Sequence, residues 1–110
     1  LLCEAAACAV EHGVAPEVFV DVLAKGGGGG IALERMKPWL LDKEATGLRF
    51  SIANACKDLG YYNTMASDGG AARDIAAAVL TTLQGALQRA EPGAFMPELA
   101  DMLAATQPAR

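Results

Sequence analysis

Apolar residues recur every three or four positions along most of the chain, and no stretch alternates at period two for long enough to predict a strand. In residues 1–12, Leu2, Ala5, Ala6, Ala9 and Val10 share one helical face while Glu4 and Glu11 lie elsewhere, with Gly13 standing at the C′ position. Pro16 opens a second helix from its first position and the pattern runs to about Ala24, with Val18, Phe19, Val22 and Leu23 as the expected buried stripe. The two helices should pair as an antiparallel hairpin. Ile31 to Lys37 reads as a short helix with Ile31, Leu33 and Met36 on its apolar side, stopped by Pro38, after which Trp39, Leu40 and Leu41 pack the segment down. Residues 42–49 are charged and turn-like, with the bend at Gly47.

Ser51 is the expected N-cap of a helix that runs to about Ser67 and ends at Asp68-Gly69-Gly70. A further helix spans roughly Ala72 to Arg89, with Ile75, Ala76, Val79, Leu83, Ala86 and Leu87 on its apolar face. Glu91-Pro92-Gly93 breaks it, and a last helix from Pro97 to about Ala105 turns Leu99, Met102 and Leu103 inward before Gln107–Arg110 frays. The pattern predicts an all-α fold, a compact bundle of about five to six helices with no strands, as one helical domain over residues 1–110.

The helix after Ser51 carries two distinct faces. Ile52, Ala55, Cys56, Leu59 and Tyr62 fall on one side, whereas Asn54, Lys57 and Tyr61, three and four apart, form a polar stripe on another. An amide, an ammonium and a phenol raised on one helix can serve a cleft. The plainer alternative is a solvated surface, with Lys57 beside Asp58.

Composition narrows the function classes. The chain has 110 residues, 53% of them hydrophobic, and a net charge of −4. That gives no basic footprint for nucleic acid or for an anionic membrane. No apolar run reaches the roughly 18–20 residues needed to cross a bilayer. The three cysteines, Cys3, Cys8 and Cys56, are odd in number and lack a C-x-x-C pair, so they read as buried free thiols in a reducing, cytoplasmic setting. A helical pattern is already running at Leu1, which looks like a chain cut from something longer.

Other candidate chemistry is sparse. The five glycines Gly26–Gly30 fail the dinucleotide fingerprint, because a third glycine would be needed where Ile31 stands and no strand precedes them. They read as a flexible connector, with an anion cup at the following helix N-terminus as the functional alternative. His12, the one histidine, suits the carbonyl end of the first helix rather than a triad, and Ser51 and Ser67 have no histidine within sequence reach. No metal-ligand spacing is present.

Phe50, followed seven residues later by Lys57-Asp58-Leu59-Gly60, resembles the F-x6-K-D-L-G signature of the β-hydroxyacid dehydrogenases, the family of 3-hydroxyisobutyrate dehydrogenase and tartronate semialdehyde reductase. Leu2-Cys3-Glu4-Ala5 through Glu11-His12-Gly13-Val14-Ala15-Pro16-Glu17 is similar to that family's "AEAL…AEKAGLDPE" segment, with Val22-Leu23 following as "EVL". The glycine loop falls where the family carries a small-residue loop, and the likeness covers most of residues 1–103.

The resemblance implies the all-helical C-terminal domain of a two-domain enzyme, of the 6-phosphogluconate dehydrogenase C-terminal type. Its N-terminal Rossmann domain, absent from this chain, would hold most of the NAD or NADP. The helical domain would close over the cofactor and form a homo-oligomer, commonly a dimer. The implied reaction is reversible hydride transfer on a small 3-hydroxy acid. The family's catalytic lysine lies in a G-x-x-x-K-x-x-N-N-like motif upstream of the segment matching Leu1, so no catalytic residue is expected here and the fragment alone should be inactive. Lys57 matches the family lysine that contacts the cofactor near the substrate, and Phe50 and Asp58 match supporting positions. Polar Asn54, where many relatives carry an apolar residue, and the extreme glycine run are departures. The alternatives are the helical domain of a related imine reductase and a non-catalytic helical association module.

Overall fold

The computed structural model describes residues 1–105. Among them are six α-helices, α1 (Leu2–Glu11), α2 (Pro16–Ala24), α3 (Ile31–Asp42), α4 (Ile52–Gly69), α5 (Asp74–Leu87) and α6 (Leu99–Ala105), two 3-10 turns (Ala45–Gly47 and Met96–Glu98), and no strand. The all-α expectation holds. Gln107–Arg110, expected to fray, lies outside the described residues. The helices fall into two units, Leu1–Arg49 together with the segment beginning at Phe95, and Phe50–Ala94.

In the first unit α1 lies against α6 and α2, and α3 touches α2 and both 3-10 turns. Small side chains allow this: Ala6, Ala7 and Ala100 are buried along with Cys3 and Leu99, so backbones approach closely. α1 ends as its glycine predicts. Gly13 takes φ +75°, the Val14 N–H donates to the Ala9 carbonyl at 2.9 Å and the Gly13 N–H to the Val10 carbonyl at 3.1 Å, which is a Schellman cap. α2 begins at Pro16, as expected.

The expected faces of these two helices are partly wrong. Val20 is the buried residue of α2, whereas Val18 and Val22 are exposed, Val22 at 63%. The reason lies in a segment, PEVFVDVLA, that is apolar on nearly every side, so spacing alone cannot select the inward one. In α1 the same ambiguity leaves Ala5 and Val10 outside. Cys8, expected to be buried, is exposed, while Cys3 is buried and Cys56 half-buried, all three as free thiols.

α3 overrides its proline. Pro38 was expected to end the helix but sits inside it, with helix continuing to Asp42. A proline within a helix costs about 3 kcal/mol. Against that, Leu33, Met36 and Leu40 are all buried on one stripe that spans the proline, and each such side chain contributes about 1.5–3 kcal/mol. Ending the helix at Lys37 would take Leu40 off that stripe. Ile31 does not share in it and stays exposed.

The glycine run Gly26–Gly30 is a folded turn with particular demands, more than the simple connector expected. The Gly29 N–H donates to the Gly26 carbonyl at 3.2 Å, and a Cβ on Gly29 would stand 2.9 Å from the Ala24 carbonyl oxygen. Gly30, the N-cap of α3, takes φ 157° and ψ −173°, a region open in practice only to glycine.

The second unit is built from α4 and α5, which pack on one another. α5 starts at Asp74 and stops at Leu87, inside the expected limits. Its buried residues are Leu83 and Ala86, with Ala76, Ala77 and Leu80 half-buried. Ile75, expected inward, is 82% exposed, and Val79 and Leu87 are also exposed. Here a run of alanines gives the true face little hydrophobic contrast.

Candidate functional site

α4 carries the candidate site, and its ends are fixed by local sequence. Ser51 Oγ accepts the Asn54 N–H at 3.0 Å, the expected N-cap bond. The Ile52 N–H, another donor left over at the helix start, reaches the Ala94 carbonyl at 2.9 Å. At the far end Gly70 takes φ +70°, the Ala71 N–H donates to the Ala66 carbonyl at 2.8 Å and the Gly70 N–H lies 3.4 Å from that of Ser67, a second Schellman geometry.

The inward face of α4 follows the expected pattern except at Tyr62, which is 41% exposed. Ile52 and Ala66 are buried, and Ala55, Cys56 and Leu59 are half-buried. Tyr62 stays partly exposed and donates its hydroxyl to the Ala72 carbonyl at 2.8 Å. Asn63 was missed: it is buried on this face, and its Nδ2 donates to the Leu59 carbonyl at 2.9 Å and across to the Ala76 carbonyl of α5 at 3.3 Å. Its Oδ1 is buried without a partner. The bond to Ala76 ties α4 to α5.

On that outer face Asn54, Lys57 and Tyr61 are all exposed. Seven residues of helix place Asn54 and Tyr61 about 10 Å apart along the axis, with Lys57 between them. Lys57 Nζ lies 3.8 Å from Asp58 Oδ1, with both side chains more than half exposed. A pair that loose and that wet is worth at most about 1 kcal/mol, which leaves the ammonium donors for another partner. Phe50 precedes the cap and is 36% exposed. Of the residues carrying the family resemblance, Asp58 is the one paired with Lys57. The arrangement can donate hydrogen bonds and positive charge to a polar ligand laid along α4.

The remaining candidates are more ordinary. His12 caps α1, with Nδ1 2.9 Å from the Cys8 carbonyl and 3.6 Å from Cys8 Sγ, the helix-end role expected of it. Burial pushes the Cys3 thiol above its ordinary value of 9.0. Among the described residues no group of three or more His, Cys, Asp or Glu could hold a metal ion, and no helix is long and apolar enough to cross a membrane.

A second polar cluster was not foreseen. In the first unit Asp101 Oδ1 accepts from Trp39 Nε1 at 3.2 Å and from Lys43 Nζ at 2.7 Å, and that ammonium sits 5.5 Å from the Trp39 ring centroid. Asp101 lies 58 residues from Lys43, so no local pattern could join them.

A family model described as the NAD-binding domain of NADP-dependent 3-hydroxyisobutyrate dehydrogenase matches residues 1–103. No curated protein matches significantly, and no solved structure does.

Proposed function

The chain belongs to the family of the NAD-binding domain of NADP-dependent 3-hydroxyisobutyrate dehydrogenase, and from that premise we propose that α4 forms one wall of a nicotinamide-cofactor cleft, with Lys57 as its positioning cation. The observation that carries this reading is the exposed Asn54–Lys57–Tyr61 stripe on a helix capped at both ends and pinned to α5. Its donor set of ammonium, amide and phenol suits the phosphates, ribose hydroxyls and carboxamide of NAD or NADP, and a substrate carboxylate. When bound, the cofactor supplies hydride acceptance from, or donation to, the reacting carbon of a small 3-hydroxy acid. Lys57 orients these anionic groups by charge-assisted hydrogen bonds, and the group that moves the proton belongs elsewhere in the enzyme.

In this reading the cofactor rests mainly on an N-terminal Rossmann domain of the same polypeptide, with this domain closing over it. Assembly as a homo-oligomer and a cytoplasmic setting belong to the same proposal.

The test is Lys57→Ala in the full-length enzyme. One lost charge-assisted hydrogen bond of about 1.5–3 kcal/mol predicts a roughly ten- to hundredfold fall in kcat/KM for the cofactor. Unchanged kinetics in a folded variant would take Lys57 out of the site.

A further inference from the structure

The unit formed by Leu1–Arg49 and the segment beginning at Phe95 contains a cleft of about 210 Å³ where α1, α2, α3 and α6 meet. Its walls are apolar and mostly small, with Ala6, Ala9, Val10, Phe19, Leu40 and Ala104 among them, and its charged lining is Lys43 and Asp101. We propose that this cleft binds a free α-amino acid with an aliphatic side chain. The side chain lies among the alanines, the α-carboxylate on Lys43 and the α-ammonium on Asp101.

Size and charge choose this ligand class. A dry apolar cavity of about 150 Å³ already accepts a molecule as large as benzene, so an isobutyl group fits the volume here. Lys43 and Asp101 form an ion pair at 2.7 Å, and their charges sum to zero. The chain as a whole carries −4, so a bare anion meets no net attraction, and a bare cation would compete with Lys43 for Asp101. A zwitterion meets both charges with their opposites.

Capacity for it remains on both groups. Lys43 Nζ has three donors, one of them spent on Asp101. Both hydrogen bonds to Asp101 fall on Oδ1, so Oδ2 keeps its acceptor sites. The pair is about half exposed, at 57% for Lys43 and 49% for Asp101, so a ligand can reach it without expelling a protein group. Trp39 fixes the pair in place, through its N–H to Asp101 and its ring under Lys43. The Lys43 backbone is also held in the left-handed region at φ 55°. Preorganisation of this kind lowers the ordering cost of binding. None of this depends on Lys57 or on the cofactor reading.

Isothermal titration calorimetry on the full-length protein tests the proposal with three ligands that share one side chain: leucine, 4-methylpentanoate and 3-methylbutylamine. Leucine should bind, and each single-charge analogue should bind about tenfold more weakly or worse, the loss of one charge-assisted hydrogen bond. Asp101→Asn, which keeps an acceptor for Trp39, and Lys43→Met should each weaken leucine by a similar factor. Ala9→Leu, which fills the cleft without touching either charge, should abolish binding. Absence of leucine binding by the folded protein would overturn the proposal, as would equal affinity for leucine and either analogue, or leucine binding insensitive to Ala9→Leu. A self-association that Ala9→Leu dissolves, with no leucine binding, would assign the cleft to a second copy of the chain instead.

Discussion

At Gly60 the α4 backbone passes with nothing within 4 Å of where a Cβ would stand, whereas Gly70, at the end of the same helix, has φ +70°. The two glycines should therefore answer the same substitution with opposite signs. Gly60→Ala removes a flexible residue from a helix interior and should stabilise the fold by about 0.5–1 kcal/mol. Gly70→Ala forces a side chain into the left-handed region and should destabilise it by about 1–2 kcal/mol. Urea denaturation of the two variants reads both, and a Gly60→Ala variant less stable than the parent would contradict the open environment. Cys3 supplies a pH signature at the same scale. Its thiol is pushed up by burial from 9.0, so the native state holds the proton more tightly than the unfolded chain does. The resulting stability is complete below the unfolded thiol's value and is lost as pH rises from there through the raised native value. Cys3→Ala should flatten that alkaline decline in a pH series of melts.

Caps and faces behave differently when whole elements are considered. Ser51 satisfies one donor at the start of α4 through Asn54, so Ser51→Ala should cost about 1 kcal/mol, read as a lower denaturation midpoint. Such ends were legible in the sequence because capping chemistry is local: Gly13, Pro16, Ser51 and Gly70 each act within a few residues of their own position. Inward faces were less legible. On α4 Asn54, Lys57 and Tyr61 are exposed as expected, yet Tyr62 also lies outward and Asn63 inward, and on α2 and α5 the true faces are set by what they pack against. Pro38 was misread for a related reason. A local penalty of about 3 kcal/mol is decisive in an isolated segment but yields to the burial of Met36 and Leu40 on either side of it. The Trp39–Lys43–Asp101 cluster was invisible for a third reason, since it joins residues about sixty positions apart in sequence.

For the whole molecule, the question is how much of the chemistry these 110 residues can perform by themselves. Hydride transfer on a hydroxy acid needs the cofactor held, the substrate held against it, and a group to move the carbinol proton. The Lys57 stripe offers donors from one side only. The one histidine in the chain is engaged at the end of α1 against the Cys8 carbonyl. The Cys3 thiol is buried, and that burial favours its protonated form. We therefore expect the 110-residue chain, mixed with NAD or NADP and 3-hydroxyisobutyrate, to form no reduced nicotinamide by absorbance. It should also bind the cofactor at least tenfold more weakly than the full-length enzyme, because one wall supplies only part of the contacts that fix an anionic ligand. Measurable turnover by the chain alone would place a proton-moving group within these residues and refute the reading of α4 as a wall without its own catalyst.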